Sequence, residues 1–147
     1  MAKATEKDDL LSRAAVSIKA PRSRVWAALV TPEDIKQYMF GTQARSDWQV
    51  GRPITWSGEW QGKAYEDKGT ILGFEPERRL QYSHFSPLSG QPDTPENYHT
   101  VTIELADEGD RTHVALTQDN NANAEERDHT VKTWEMMLGS LKSFLEQ

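Results

Sequence analysis

Apolar and polar residues alternate over positions 13 to 20 of the chain. Ala14, Val16, Ile18 and Ala20 occupy one set of alternate positions, and mostly polar side chains occupy the other. A period of two residues is typical of a strand with one buried face. The pattern therefore predicts a first strand here.

Two helical patterns follow this strand and are separated at Thr31-Pro32. Pro21 stands where the first turn of a helix tolerates proline. Thr31 can cap a second helix that has Pro32 at its first position. The apolar positions at helical spacing are Val25, Ala28 and Leu29 in the first helix and Ile35, Tyr38 and Met39 in the second. We therefore expect two short helices instead of one kinked helix.

Strand patterns dominate from residue 53 to residue 118. Gln61-Gly62 is a signal for a two-residue hairpin, and Gly73 to Arg79 predicts another turn. The proline-rich segment "SPLSGQPDTPEN" at 86 to 97 predicts a long loop of the kind that is often functional. The residues that share one strand face are Ile54, Trp56, Gly58 and Trp60; Leu80, Tyr82 and His84; His99, Val101, Ile103 and Leu105; and Thr112, Val114, Leu116 and Gln118.

The last part of the chain predicts a long amphipathic helix. Asn123 and Glu126 have the spacing of a capping box. An apolar stripe at three-four spacing follows, formed by Val131, Trp134, Leu138, Leu141 and Leu145 and widened by Met137 and Phe144. The natural partner for so wide a stripe is the concave face of a sheet. Gly139, inside this helix, is either tolerated or marks a close contact, and we favour the close contact.

Composition and charge restrict the class of function. The chain has 147 residues, no cysteine and a formal net charge of −6 without a basic stripe. Disulfides, thiolate metal sites and binding to a nucleic-acid backbone are therefore not expected. The polar start "MAKATEKDD" and the lack of a long apolar stretch predict a cytoplasmic protein without a membrane span. We expect a disordered lead-in over residues 1–10 and one domain over residues 11–147.

Five segments together resemble a known family. They are "APRSRVWAALVTPEDIKQY", "WQVG", "GTILGFEPERRLQYSHF", "VTIELADEGDRTHVALTQ" and "TWEMMLGSLKSFLE". In order and spacing they are similar to the single-domain relatives of the C-terminal domain of the heat-shock-protein-90 ATPase activator. These proteins belong to the START-like superfamily, also called birch-pollen-allergen-like or SRPBCC, and the resemblance covers roughly residues 11 to 147.

The resemblance implies the helix-grip fold, an α+β architecture. A curved seven-stranded antiparallel sheet would wrap around the long C-terminal helix, with two short helices between strands 1 and 2. The resemblance also implies an internal cavity that commonly receives apolar or amphipathic ligands. Tyr38 stands where many relatives carry a tryptophan, so it is expected at the cavity mouth.

His84 and His99 are the most interesting pair of polar side chains. Each lies on the apolar face of its predicted strand, at opposite ends of the 86 to 97 loop. Antiparallel pairing of these strands would bring the two imidazoles together. They could then bind the polar end of a ligand, exchange a proton near neutral pH or share a metal. The simpler alternative is that both face water or bond to the backbone. Because no third ligand is visible, we predict no metal and no cofactor.

The other candidate ligand contacts are the side chains that face the predicted interior. They are Tyr38, Trp56, Trp60, Tyr82, Gln118, Trp134, Met137 and Leu138, and such aromatic positions serve core packing, cavity lining or both. Glu66 and Asp67 are adjacent on a strand, so they point to opposite faces and cannot act jointly on one group. We expect them at a solvated strand edge.

Three functions remain open at this point. Binding of a small apolar or amphipathic ligand is the function that we favour. A co-chaperone-like interaction module, with a chaperone as partner and a role in stress response, is the first alternative. A START-like enzyme, such as a cyclase, dehydratase or hydrolase, is the second, although no catalytic motif supports it. The pattern does not define the ligand or the oligomeric state.

Overall fold

The structure is a computed structural model that describes residues 10–147, except for the side chain of Trp60. Apart from Leu10, the predicted lead-in over residues 1–10 therefore lies outside the described residues. The predicted ligand contact of the Trp60 side chain lies outside them as well.

Three α-helices and seven strands make up this part of the chain. The helices are α1 (Arg22–Val30), α2 (Pro32–Tyr38) and α3 (Ala124–Leu145). The strands are β1 (Ser12–Ile18), β2 (Gln43–Ser46), β3 (Pro53–Trp60), β4 (Lys63–Glu75), β5 (Arg79–His84), β6 (His99–Glu108) and β7 (Arg111–Gln118). Two single turns of 3-10 helix, Pro87–Ser89 and Pro95–Asn97, lie in the loop between β5 and β6.

The seven strands form one antiparallel sheet in the order β1-β7-β6-β5-β4-β3-β2. Short turns join most neighbours, and the β3-β4 hairpin turns at Gln61 and Gly62, which have φ angles of 51° and 81°. Two left-handed residues are the mark of a primed turn, and the predicted two-residue hairpin is confirmed. The sheet, the long final helix and the two short helices between β1 and β2 confirm the predicted α+β helix-grip fold.

The main core lies between the concave face of the sheet and α3. Its fully buried side chains include Ile18, Ile71, Val114, Leu138 and Leu141. The short helices α1 and α2 close one end of this core with the residues that the helical pattern predicted, Val25, Ala28, Leu29, Ile35 and Tyr38.

The helix starts differ in how they are capped. Asn123 Oδ1 accepts a hydrogen bond of 2.8 Å from the Glu126 amide, and Glu126 Oε2 accepts one of 2.5 Å from the Ala122 amide. The predicted capping of α3 is therefore confirmed. Thr31 holds the N-cap position of α2 without a side-chain hydrogen bond, so only Pro32 and the extended Thr31 backbone mark that start.

Two local predictions were wrong. The turn expected over Gly73 to Arg79 comprises only residues 76 to 78, because β4 continues to Glu75 and pairs there with Arg79. Gly139 does not mark a close contact, since a Cβ atom built at this position would meet no atom within 4 Å. The glycine is exposed on the outer side of α3.

Candidate functional site

A cleft of about 330 Å³ opens between the concave face of the sheet and α3. Its floor is formed by four side chains of β3, β4 and β5, namely Trp56, Asp67, Tyr82 and His84. Trp134 of α3 and the segment after α2 form the opposite wall with Met39, Phe40 and Thr42. The rim is completed by Glu59, Tyr65, Ser86 and Leu88.

A carboxylate-imidazole pair lies on the floor of the cleft. Asp67 Oδ2 is 2.9 Å from His84 Nε2, and both side chains are largely buried, with 19% and 27% of their surface exposed. An ionised carboxylate only accepts hydrogen bonds, so the proton of this bond is on Nε2. The other oxygen, Oδ1, is buried and has no hydrogen-bond partner among the described residues.

Aromatic rings surround this pair. The Trp56 ring centroid lies 5.0 Å from the Tyr82 ring and 5.2 Å from the His84 ring. Burial raises the pKa of Tyr82 well above its usual value, because the phenolate would lose its hydration. Tyr82 therefore presents a neutral hydroxyl group, and the floor combines apolar faces with a few polar atoms.

His99 pairs with His84 in the register of β5 and β6, as antiparallel pairing required. Their ring centroids are 6.4 Å apart, but the two imidazoles have different partners. His99 Nδ1 is 2.9 Å from the Asp119 carbonyl oxygen, to which it donates a hydrogen bond. His99 does not line the cleft, so the structure assigns the two histidines to different environments.

Gln118 and Trp134 interact at the inner side of α3. Trp134 Nε1 donates a hydrogen bond of 2.7 Å to Gln118 Oε1, and Gln118 is 8% exposed. This bond fixes the indole that forms one wall of the cleft. Gln118 itself is not a lining residue, so it acts on the cleft through Trp134.

The remaining predicted site residues lie in the packed part of the interior. The Tyr38 hydroxyl donates a hydrogen bond of 2.9 Å to the Ala28 carbonyl, and its ring is 6.1 Å from that of Phe144. Burial, and to a smaller extent Tyr82 and Asp34, raises the pKa of Tyr38. Tyr38 and Met137 line a small cavity of about 20 Å³ deeper in the core, and Met137 also lines a surface groove along α3. Leu138 is 1% exposed and is not among the residues that line the cleft.

A glycine makes room for one side of the rim. A Cβ atom at Gly58 would lie 2.8 Å from the Tyr65 hydroxyl oxygen, so the tyrosine ring crosses β3 at this point. The Tyr65 hydroxyl forms a hydrogen bond of 2.7 Å with the Thr42 hydroxyl. This contact joins the β3-β4 hairpin to the segment after α2 across the cleft entrance.

The loop between β5 and β6 is fixed to the sheet at its base. The Tyr98 hydroxyl donates a hydrogen bond of 2.6 Å to Asp93, which also forms an ion pair with Lys68. The hydrogen bonds from Lys68 and Tyr98 lower the pKa of Asp93, and the bond to Asp93 raises the pKa of Lys68. This anchor holds the loop that brings Ser86 and Leu88 to the cleft.

Exposed apolar side chains lie around the cleft mouth. Phe40 is 58% exposed, Leu88 59% and Met136 55%. A surface groove of about 520 Å³ continues from the cleft along α3 and shares Phe40 and Trp134 with it. Exposed apolar side chains therefore line both the opening of the cleft and the groove beside it.

Asp67 is the residue of the cleft floor that sequence reasoning missed. The wall and rim residues that were not predicted as ligand contacts include Phe40, Thr42, Glu59, Tyr65, Ser86 and Leu88. The prediction that Glu66 and Asp67 point to opposite faces is correct, but only Glu66 is exposed. Asp67 pairs in register with Trp56, and position 56 was already predicted to face the interior. Reading the hairpin register outward from Gln61-Gly62 would have placed Asp67 on the same face. Within residues 10–147, no cluster of three or more His, Asp or Glu side chains is arranged to hold a metal ion.

A sheet that wraps around a long C-terminal helix, with a cleft between them, defines this molecule as a helix-grip protein. Residues 19–146 match the model of the family described as Activator of Hsp90 ATPase homolog 1-like protein, and the chain belongs to this family. A search of curated proteins found no match. No helix among residues 10–147 is long and apolar enough to span a membrane.

Solved structures support the same assignment. A protein from Cytophaga hutchinsonii is 56% identical, with 93% of this chain and 94% of that chain covered and a TM-score of 0.82. CalU16 from Micromonospora echinospora is 25% identical, with 92% and 83% covered and a TM-score of 0.69. The Aha1 dimer from Colwellia psychrerythraea is 20% identical, with 92% and 96% covered and a TM-score of 0.73, which shows a common fold.

Proposed function

We propose that this protein binds a small apolar or amphipathic molecule in the cleft between the sheet and α3. The observation that carries the proposal is the cleft of about 330 Å³ with its aromatic floor and wall. Ligand sites typically have volumes of this order, apolar linings and a few polar groups that orient the ligand. Trp56, Tyr82 and Trp134 supply the lining, and Asp67 and His84 supply polar groups.

The contrast with the rest of the interior supports the proposal. Under α1 and α2 the core leaves only about 20 Å³, which is room for about one water molecule. Interiors normally pack to the density of organic crystals, and the small cavity agrees with that, whereas the cleft leaves open space beside its aromatic side chains. The helix-grip architecture of the family, which surrounds such a space with a curved sheet, is consistent with a binding role.

Titration with a neutral fluorescent probe, N-phenyl-1-naphthylamine, tests the proposal. We expect saturable binding and energy transfer from Trp56 and Trp134, which lie in the cleft walls. Ser86→Trp would fill part of the cleft and should weaken binding at least tenfold. Ser89→Trp, on the exposed face of the same loop, is the matched control and should bind like the original protein. Absence of saturable binding, or equal binding by Ser86→Trp, would contradict the proposal.

Interaction with a chaperone of the Hsp90 class is a second candidate function. The family description and the exposed apolar side chains of Phe40, Leu88 and Met136 favour it. A pull-down and an ATPase assay with the purified chaperone would test it, with Phe40→Ser expected to weaken any complex. If neither binding nor stimulation occurs, the candidate is excluded.

A further inference from the structure

We propose that the Asp67-His84 end of the cleft selects the polar head of the ligand. It takes a head that donates hydrogen bonds, a hydroxyl group or a protonated amine, and it rejects a carboxylate. This inference rests on the proposed binding function and adds the chemical class of the ligand.

The first argument is the hydrogen-bonding capacity of the pair. Asp67 Oδ2 is occupied by His84 Nε2, and Oδ1 has no partner among the described residues. A carboxylate oxygen accepts hydrogen bonds, so the unpaired Oδ1 leaves acceptor capacity at this end of the cleft. The pair therefore presents an acceptor, and a ligand satisfies it only by bringing a donor.

The second argument is the buried, unpaired carboxylate oxygen. A buried acceptor without a hydrogen bond destabilises the folded protein, because it has lost water and gained no partner. The terminal torsion of an aspartate is broad, so a small rotation can turn Oδ1 toward the cleft. A donor on the ligand can then form a hydrogen bond with this oxygen. Binding thereby replaces the hydrogen bond to water that the oxygen lost on folding.

The third argument is the charge of the lining. Asp67 and Glu59 line the cleft, and none of its lining residues is lysine or arginine. The net charge of −6 adds a weak repulsion of anions from the whole molecule. An anionic head would enter without a countercharge, because the donors that line the cleft, such as the hydroxyl groups of Tyr82 and Ser86, are neutral. A cationic head would instead meet a carboxylate and the faces of Trp56 and Tyr82, which attract cations.

Four ligands with one naphthyl body test the inference on the original protein. They are 1-naphthylmethylamine, 1-naphthylmethanol, 1-naphthoic acid and 1-methylnaphthalene, measured at neutral pH by calorimetry or tryptophan fluorescence. We expect the amine and the alcohol to bind at least tenfold more tightly than the acid, which corresponds to one hydrogen bond to a charged group. The relative affinity of amine and alcohol shows whether charge or donor capacity contributes more.

Asp67→Asn then assigns the selectivity to this residue. The amide keeps the shape but removes the charge and adds donors, so the preference for the amine over the acid should fall about tenfold. Asp47→Asn is the matched control, because Asp47 lies outside the cleft in an exposed ion pair with Arg52. The ratio of two affinities is the readout, and thermal unfolding checks that each variant is folded.

The outcomes separate this inference from the proposed function. If none of the four ligands binds, both fail. If all four bind equally, or if the acid binds most tightly, ligand binding stands and the inference is overturned. If the original protein prefers donors but Asp67→Asn keeps that preference, the assignment to Asp67 is overturned. Should Asp67→Asn fail to fold, the ranking on the original protein still decides the inference.

Discussion

At the residue scale, the cleft depends on a few side chains whose environment differs from what their type suggests. Asp67 is a charged residue on the inner face of a sheet, where it is held by His84. An isolated carboxylate in such a place would be very unfavourable, and the imidazole partner offsets part of that cost. Asp67 lies between the exposed residues Glu66 and Lys68, and a single charged residue in a polar stretch gives no periodic signal. Its inward position was therefore not predicted.

Gly139 is a residue whose replacement should stabilise the protein. A Cβ at this exposed helical position meets nothing within 4 Å, so alanine adds no clash. Alanine also restricts the unfolded chain, and we expect Gly139→Ala to raise the free energy of unfolding by about 1 kcal/mol. Urea unfolding followed by circular dichroism measures it. A loss of stability would show that the backbone here needs the freedom of glycine.

At the element scale, β4 is the strand that shapes the site. It pairs with β3 on one side and β5 on the other, and the register shifts between Ile71 and Gly73. A bulge of this kind bends a strand and increases its twist, which helps a sheet to curl around a helix. The strand itself was expected from the hairpin turn at Gln61-Gly62 that precedes it. The bend in the strand was not predicted. It arises where β4 pairs with β5, and the residue pattern of a single strand carries no information about that pairing.

Gly69 is the position in β4 where an added methyl group should be most damaging. Its Cβ would lie 1.7 Å from the Ser83 carbonyl oxygen, which is backbone and cannot move alone. We expect Gly69→Ala to separate β4 from β5 and to lower the free energy of unfolding by about 3 kcal/mol. Gly139→Ala is the control, since the same substitution there meets open space. Equal urea midpoints for the two variants would contradict this packing.

At the scale of the whole molecule, the fold was predictable and the cleft was not. Alternation, caps and turn signals lie within short windows, so they predicted the three helices and most of the strands in their order. The short strand β2 was not predicted from any pattern. The cleft joins side chains from β3, β4, β5, α3 and the segment after α2, and no window contains them together. Tyr38 illustrates the difference: its inward position was correctly predicted, but it lies in the packed end, and Met39 and Phe40 form the cleft wall instead.

The two buried tyrosines give the whole molecule a predictable sensitivity to alkali. Burial raises the pKa of Tyr38 and Tyr82, so above pH of about 10 the unfolded chain releases protons that the folded protein keeps. Stability therefore falls as pH rises, and the slope approaches about 1.4 kcal/mol per pH unit for each tyrosine once that residue is ionised in the unfolded chain. Urea unfolding between pH 9 and 11 measures this slope.

Phenylalanine substitutions assign that slope to the two residues. Tyr38→Phe should cost about 1 kcal/mol near neutral pH, because it removes the hydrogen bond to the Ala28 carbonyl. Above pH of about 10, however, the stability of each single variant should fall less steeply with pH than that of the original protein. The stability of the double variant should fall least steeply, because it has no hydroxyl group at either position. Lysines and the other tyrosines titrate alike in all four proteins, so they cancel in the comparison. If the double variant lost stability with pH as steeply as the original protein, both tyrosine hydroxyl groups would have to ionise in the folded state at their ordinary pKa. That outcome would contradict the burial of the two rings.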